Sequence, residues 1–257
     1  MDTIQVNGVA LEIERIAGPD SGARAPVIFL HEGLGSVAMW RDWPAQVCRA
    51  SGRAGFVYSR RGYGRSHAIP DVRGAGRLAP DYMHREAIDV LPELLAHFGV
   101  EYPVLLGHSD GGTIALIHAA HFPVRACVVM APHVIVEDIS VRSIEQARDE
   151  YVTGSLRDRL ARYHADVDVA FWQWNDVWLS AAFRNFDIRA DCRRIRPPVL
   201  ALQGLDDPYG TLRQVEEIAP TVGAFQLEAI PGCGHSPHRD QPDLVTARIS
   251  TFLDDLP

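Results

Sequence analysis

Three residue types that can act together on a carbonyl group stand far apart in this chain. Ser109 sits in Gly107-His108-Ser109-Asp110-Gly111-Gly112; Asp206 and Asp207 follow Gly204-Leu205; His235 lies in Gly232-Cys233-Gly234-His235. A serine hydroxyl is a poor nucleophile near neutral pH. It needs a base within hydrogen-bond reach, and the base needs an acid to orient it. The chain order serine, aspartate, histidine is the order expected where the serine ends a strand and opens a helix. His235, at the end of the strand that finishes with Ile230, is the candidate base. The acid is open at this stage between Asp207, Asp206 and, after the preceding strand, Glu137 or Asp138.

The elements around the serine must deliver that geometry. Val104-Leu105-Leu106 is a short apolar run, and Thr113-Ile114-Ala115-Leu116-Ile117-His118-Ala119-Ala120 reads as an amphipathic helix. Strand, sharp turn and helix force the central residue into a strained backbone conformation and lift its side chain above the sheet. Gly107 and Gly111 flank the turn because a Cβ at either place would crowd it. The hydroxyl then stands at a helix N-terminus, where N–H groups and the dipole favour developing negative charge. G-x-S-x-G arises by chance in about one chain in ten of this length, so this context, more than the pattern, gives the serine its meaning.

The remaining elements alternate. Ile4 to Ile16 reads as a hairpin turning at Asn7-Gly8. Strands are expected at Pro26–Leu30, Gly55–Tyr58, Ala126–Met130, Val199–Leu202 and Phe225–Ile230. Helices are expected from near Trp40 to Gly52, from Tyr82 to Phe98 with a possible kink at Pro92, from Leu212 to Ala219 and from Leu244 to Leu253. Loops are expected at Gly18–Gly22 and His67–Pro80. Residues 133–196 have no strand pattern; they read as helices rich in arginine, aspartate and aromatic residues, inserted as a cap into a core made of 1–132 and 197–257. Alternating strands and helices imply a mostly parallel sheet with helices on both faces, an α/β fold whose ligand crevice lies off the carboxyl ends of the strands. Every polar motif above falls at such an end.

Composition sets the outer bounds. The 257 residues, 47% hydrophobic and 23% charged, suit one large globular domain with a sizeable core. A net charge of −8 argues against nucleic acid or an anionic membrane as partner. The four cysteines, Cys48, Cys127, Cys192 and Cys233, form no C-x-x-C pair; with no basic and apolar leader at Met1–Val6, a cytoplasmic location with reduced thiols is expected. Cys233, His235 and His238 resemble half of a metal site, but no complementary ligands stand out, so no metal or other cofactor is expected.

Together H-E-G-L-G-S, S-R-R-G-Y-G-R-S, G-H-S-D-G-G, G-L-D-D-P and G-C-G-H-S resemble the α/β-hydrolase family with a helical cap, over essentially the whole chain. The resemblance implies the acid three residues after the glycine of Gly-x-x-Asp, hence Ser109, Asp207 and His235 as a triad. It also implies an oxyanion hole made by the Asp110 amide and, from the loop after Leu30, by Gly33, with Leu34 second. Glu32 departs from the family, which has glycine there. A serine at the elbow, where dehalogenases and epoxide hydrolases of this fold use aspartate, implies acyl transfer on a small-molecule ester. A lactone, amide or carbon–carbon hydrolase is the alternative within the class, and a ligand-binding receptor-like protein the alternative outside it. A monomer or homodimer is expected.

Two clues bear on the substrate. G-x-S-D-G-G resembles the elbow of biphenyl-hydrolase-like amino-acid ester hydrolases, in which that aspartate is tied to recognition of an ammonium group. Asp110 and Glu32 would on this reading bind a cationic acyl group; otherwise Asp110 caps its helix and Glu32 is bridged by Arg60 or Arg61. Leu34, His133 and Trp174 are candidate substrate contacts. Of the aromatic residues Phe171, Trp172, Trp174, Trp178, Phe183 and Phe186, at least half are expected to be packing.

Overall fold

A computed structural model describes residues 2–18, 24–218 and 224–256. The loop expected at Gly18–Gly22 lies outside these residues from Pro19 onward, as does Ala219 at the expected end of a helix.

Eight strands form one sheet among the described residues, in the order β1-β2-β4-β3-β5-β6-β7-β8. They are β1 (Asp2–Val6), β2 (Val9–Ile16), β3 (Val27–Leu30), β4 (Gly55–Tyr58), β5 (Val104–His108), β6 (Ala126–Met130), β7 (Val199–Gly204) and β8 (Phe225–Ile230). The hairpin β1-β2 is antiparallel, with Val6 opposite Val9 and the two turn residues Asn7 and Gly8 at φ 50° and 75°, as a type I′ turn requires. β2 joins β4 antiparallel, and every later pairing is parallel. The chain winds outward from β3 to β4, then returns to β5 on the other side of β3. The loops leaving β3 and β5 therefore diverge, and a crevice opens between them.

Among the described residues eleven α-helices accompany the strands: α1 (Trp43–Ser51), α2 (Tyr82–Arg85), α3 (Leu91–His97), α4 (Asp110–His121), α5 (Asp138–Thr153), α6 (Leu156–Leu160), α7 (Val167–Trp178), α8 (Arg189–Cys192), α9 (Arg213–Glu216), α10 (Pro237–Asp240) and α11 (Pro242–Asp254). Alternate strand residues feed two cores. Ile28, Leu30 and Leu105 pack on the side of α2 to α4, and Val27, Phe29, Val104 and Leu106 pack on the side of α1 and α11. No helix of the described residues is long and apolar enough to cross a membrane.

Several local expectations need correction. The helix expected from Trp40 is a 3₁₀ turn, Val37–Trp40, followed by a separate α1 that ends at Gly52 with φ 63°. Pro92 lies in the first turn of α3, where its missing N–H costs nothing; the irregularity sits just before it, as a π-helical turn over Glu86–Val90. The helix after Ser109 is not amphipathic. Asp110 to Ala119 of α4 are all buried, because α2 and α8 pack on the side away from the sheet. Its sequence has small and apolar residues all round, as a fully buried helix needs.

Candidate active site

The serine projects from the turn that the sequence demands. Ser109 has φ 53° and ψ −119°, between β5 and α4. A Cβ on Gly107 would lie 2.1 Å from the Gly111 carbonyl oxygen, and one on Gly111 would lie 2.0 Å from that of Leu30. Both contacts are with backbone, which cannot swing aside. The crossing of strand and helix at this distance is therefore possible only with glycine at both positions.

His235, from the loop between β8 and α10, has Nε2 3.0 Å from Ser109 Oγ. Its Nδ1 lies 2.8 Å from Asp207 Oδ2 and 3.0 Å from Oδ1. A carboxylate only accepts, so Nδ1 carries the hydrogen and Nε2 presents a lone pair to the serine. Asp207, on the loop after β7, also accepts from the Tyr209 amide at 2.7 Å and from Gln203 Nε2 at 2.7 Å. Burial acts to raise the Asp207 carboxyl, but the His235 ring and the Tyr209 amide hold it below the usual carboxylate value. Asp206 is exposed, with its backbone amide tied to the Cys233 carbonyl at 2.9 Å. Glu137 is engaged by Thr211 and Gln214 instead. Of the candidate acids, only Asp207 meets the histidine.

A cavity of about 110 Å³ opens over the serine, lined by Glu32, Gly33, Leu34, Asp110, His133, Trp174 and His235. Eight of the nine sequence candidates, all but the buried acid Asp207, thus border one space, counting Ser109 itself. Ile144 of α5, Trp178 of α7 and Tyr209 complete the wall; sequence reasoning missed the first and third, and placed Trp178 only among the aromatics. The Tyr209 ring lies 4.8 Å from the His235 ring. The Gly33 and Leu34 amides donate to no acceptor among the described residues, and the Asp110 amide, at the start of α4, has no intrahelical partner. Trp174 closes on the loop after β3: a Cβ on Gly33 would lie 2.3 Å from its Nε1. His164 ties the same loop down, accepting from the Gly64 amide at 2.9 Å and donating to the Leu34 carbonyl at 3.0 Å. His133 faces Trp178 and His235, and burial, its largest influence, pushes it down to about 3.

The charges are not arranged as the sequence suggested. Asp110 is buried and pairs with Arg60 at 3.6 Å, while the Tyr82 hydroxyl donates to Oδ2 at 2.6 Å. Trp178 Nε1 in turn donates to the Tyr82 oxygen at 3.0 Å. Burial lifts the Asp110 carboxyl above its ordinary value even with the guanidinium beside it. Glu32 is bridged by neither Arg60 nor Arg61; its Oε1 meets Arg239 at 3.1 Å, and Arg60 reaches only its backbone carbonyl. The correction has a simple cause: Arg239 is 207 positions away and becomes a neighbour only when the histidine loop folds back. Among the other aromatics, Phe171 stacks on Tyr151, Phe183 on Phe186, and Trp172 lies under Arg73. Among the described residues, Cys233 and His238 join no group of metal-ligating residues; His238 lies against Trp40 and Trp43.

Residues 27–248 match the family model described as the alpha/beta hydrolase family. The chain belongs to that family. Among its relatives, this chain is 27% identical to human "Serine hydrolase BPHL", over 97% of this chain and 85% of that protein. It is 23% identical to "Bifunctional esterase/perhydrolase DCH" of Acinetobacter calcoaceticus, over 91% and 94%. A stretch of 59 residues is 39% identical to protein phosphatase methylesterase 1 of Bos taurus, which covers 22% of this chain and only 14% of that protein. The hydrolase shares its fold with the enol-lactonase of Burkholderia xenovorans LB400, with a TM-score of 0.74 and 19% identity over 99% and 100% of the two chains. The meta-cleavage product hydrolase of Pseudomonas fluorescens IP01 gives 0.77 and 15%, over 100% and 98%.

Proposed function

We propose that this hydrolase is a cytoplasmic carboxylesterase that cleaves small esters of short, uncharged acids through an acyl-enzyme. The observation that supports the reading most is the line from Ser109 Oγ to His235 Nε2 at 3.0 Å and from Nδ1 to Asp207 at 2.8 Å, set at the mouth of the crevice between β3 and β5. His235 takes the serine proton as Oγ attacks the carbonyl carbon, and Asp207 stabilises the imidazolium. The amides of Asp110 and Gly33 receive the oxyanion, each worth roughly 3–4 kcal/mol in the transition state. His235 then returns the proton to the leaving alcohol, and a water molecule repeats the sequence to free the acid. Residues 133–196 act as the cap, with α5 and α7 forming the acyl-side wall.

Two features narrow the substrate. A cavity of about 110 Å³ holds only a few atoms, given that one water occupies about 30 Å³. Asp110 faces Arg60 and Tyr82 through Oδ2, which favours an uncharged acyl group over the cationic one. The test is turnover of p-nitrophenyl acetate and butyrate, with Ser109→Ala alongside. We expect turnover by the native enzyme, a loss of at least ~10⁴-fold in the variant, and a fluorophosphonate adduct on Ser109 alone. Turnover that survives in Ser109→Ala overturns the mechanism; absence of turnover with intact adduct formation points to the lactone, amide or carbon–carbon chemistry.

A further inference from the structure

Glu32 and His108 are not used by the mechanism above, yet both abut it. His108 precedes the serine on β5, and its Nε2 lies 2.6 Å from the backbone carbonyl oxygen of His235. A carbonyl only accepts, so that nitrogen carries hydrogen. The other ring nitrogen, Nδ1, faces Glu32 Oε2 at 3.5 Å, an ion-pair separation longer than a hydrogen bond. Facing a carboxylate, a lone pair at Nδ1 is repelled and an N–H is attracted. The same carboxylate meets Arg239 through Oε1 at 3.1 Å, and Arg239 also donates to the Met39 carbonyl at 3.2 Å.

We infer that Glu32 and His108 are a positioning pair: the carboxylate fixes the His108 ring from its Nδ1 side, and His108 holds the main chain of His235 at the distance from which its ring reaches Ser109. The inference rests on the triad reading of Ser109, Asp207 and His235. One carboxylate joins three segments that must keep register: the loop after β3, the end of β5, and the His235–Arg239 stretch. The loop leaves it room, since a Cβ on Gly35 would lie 2.4 Å from Glu32 Oε2.

The surroundings favour an ionised Glu32. Burial works against ionised Glu32, but His108 and Arg239 outweigh it and hold the carboxyl well below the usual range. The groups facing His108 are Glu32, the His235 ring at 5.1 Å and the His238 ring at 4.9 Å. Burial keeps His238 neutral, far below the ordinary histidine value, so its ring adds no charge. Trp40, at 6.4 Å from the His108 ring, closes the remaining side.

The experiment combines ¹⁵N spectra of the histidine rings with kinetics of Glu32→Ala, Glu32→Gln, His108→Leu and Arg239→Ala. In the native enzyme Nε2 of His108 should carry hydrogen, and in Glu32→Ala the ring signals of His108 should shift. Glu32→Ala and His108→Leu should lower kcat by ~10- to 100-fold, the range seen when outer partners of a functional histidine are lost, with KM within about twofold. The fluorophosphonate reaction at Ser109 should slow in parallel. Glu32→Gln should recover most of kcat, because its amide can hold Nδ1 in either protonation state and leave Nε2–H on the carbonyl. A carboxylate serving only to anchor Arg239 makes Glu32→Ala and Arg239→Ala equal in kcat, which overturns the pair. So does a native spectrum with hydrogen on Nδ1 alone. Should Ser109→Ala retain turnover, the triad reading fails, while the His108 spectrum still tests the pair by itself.

Discussion

At the scale of single residues, the three groups in line over the crevice were legible because each sits in a short motif whose neighbours dictate its conformation. Asp207 over Asp206 is a case where tertiary structure and motif agree: one turns inward to His235 with three hydrogen-bond donors around it, the other lies exposed. Asp207→Asn should therefore lower kcat by ~10⁴-fold, as loss of the orienting acid selects the wrong tautomer, whereas Asp206→Asn should stay within a few-fold. Comparable losses in initial-rate measurements of both variants would contradict the assignment. Arg60 was the opposite case. Its partner Asp110 is 50 positions away, and no local pattern announces a pairing made across the crevice. Tyr209, Gln203 and His108 were hidden for the same reason: their types are ordinary, and only contact gives them a role.

At the scale of elements, the strands and the strand–turn–helix at Ser109 were readable because burial on both faces leaves apolar runs that few other structures tolerate. Short pieces such as α8 and α10, four residues each, were missed. They are too short to show a helical period and are fixed by what they pack against. On the proposed reading, the element that sets selectivity is α7, whose Trp174 and Trp178 line the cavity. Trp174→Ala should enlarge the cavity and move preference toward longer acyl chains. One methylene in an apolar pocket is worth roughly 1–3 kcal/mol, so the butyrate-to-acetate ratio of kcat/KM should rise by at least about tenfold. An unchanged ratio would place the acyl group elsewhere.

At the scale of the whole molecule, the order of strands could not be read from local patterns, since it depends on which edges meet. The buried histidines have a collective effect that no single one suggests. His31, His118, His133, His164 and His238 are all pushed below their ordinary value, chiefly by burial, with His118 at about 4 and His133 at about 3. The unfolded chain takes up protons at these sites below about pH 6.5, and the folded chain does not. Stability is therefore intact above that pH and falls as pH drops toward the folded values, by roughly 1 kcal/mol per pH unit for each site. Glu32 and Asp207, both held low, extend the loss further into acid. Melting temperature should hold between pH 8 and 7 and drop steeply from pH 6 to 5; a level profile across that lower interval would refute the account.

The left-handed twist of the backbone at position 109 sets the enzyme against its own scaffold. A side chain there costs the native state on the order of 1–3 kcal/mol, and glycine alone would feel none of it. Ser109→Gly should thus be inert and yet melt at a higher temperature than the working protein, while Ser109→Ala, equally inert, should gain little. Thermal denaturation of the two variants side by side separates relief of backbone torsion from mere removal of a hydroxyl.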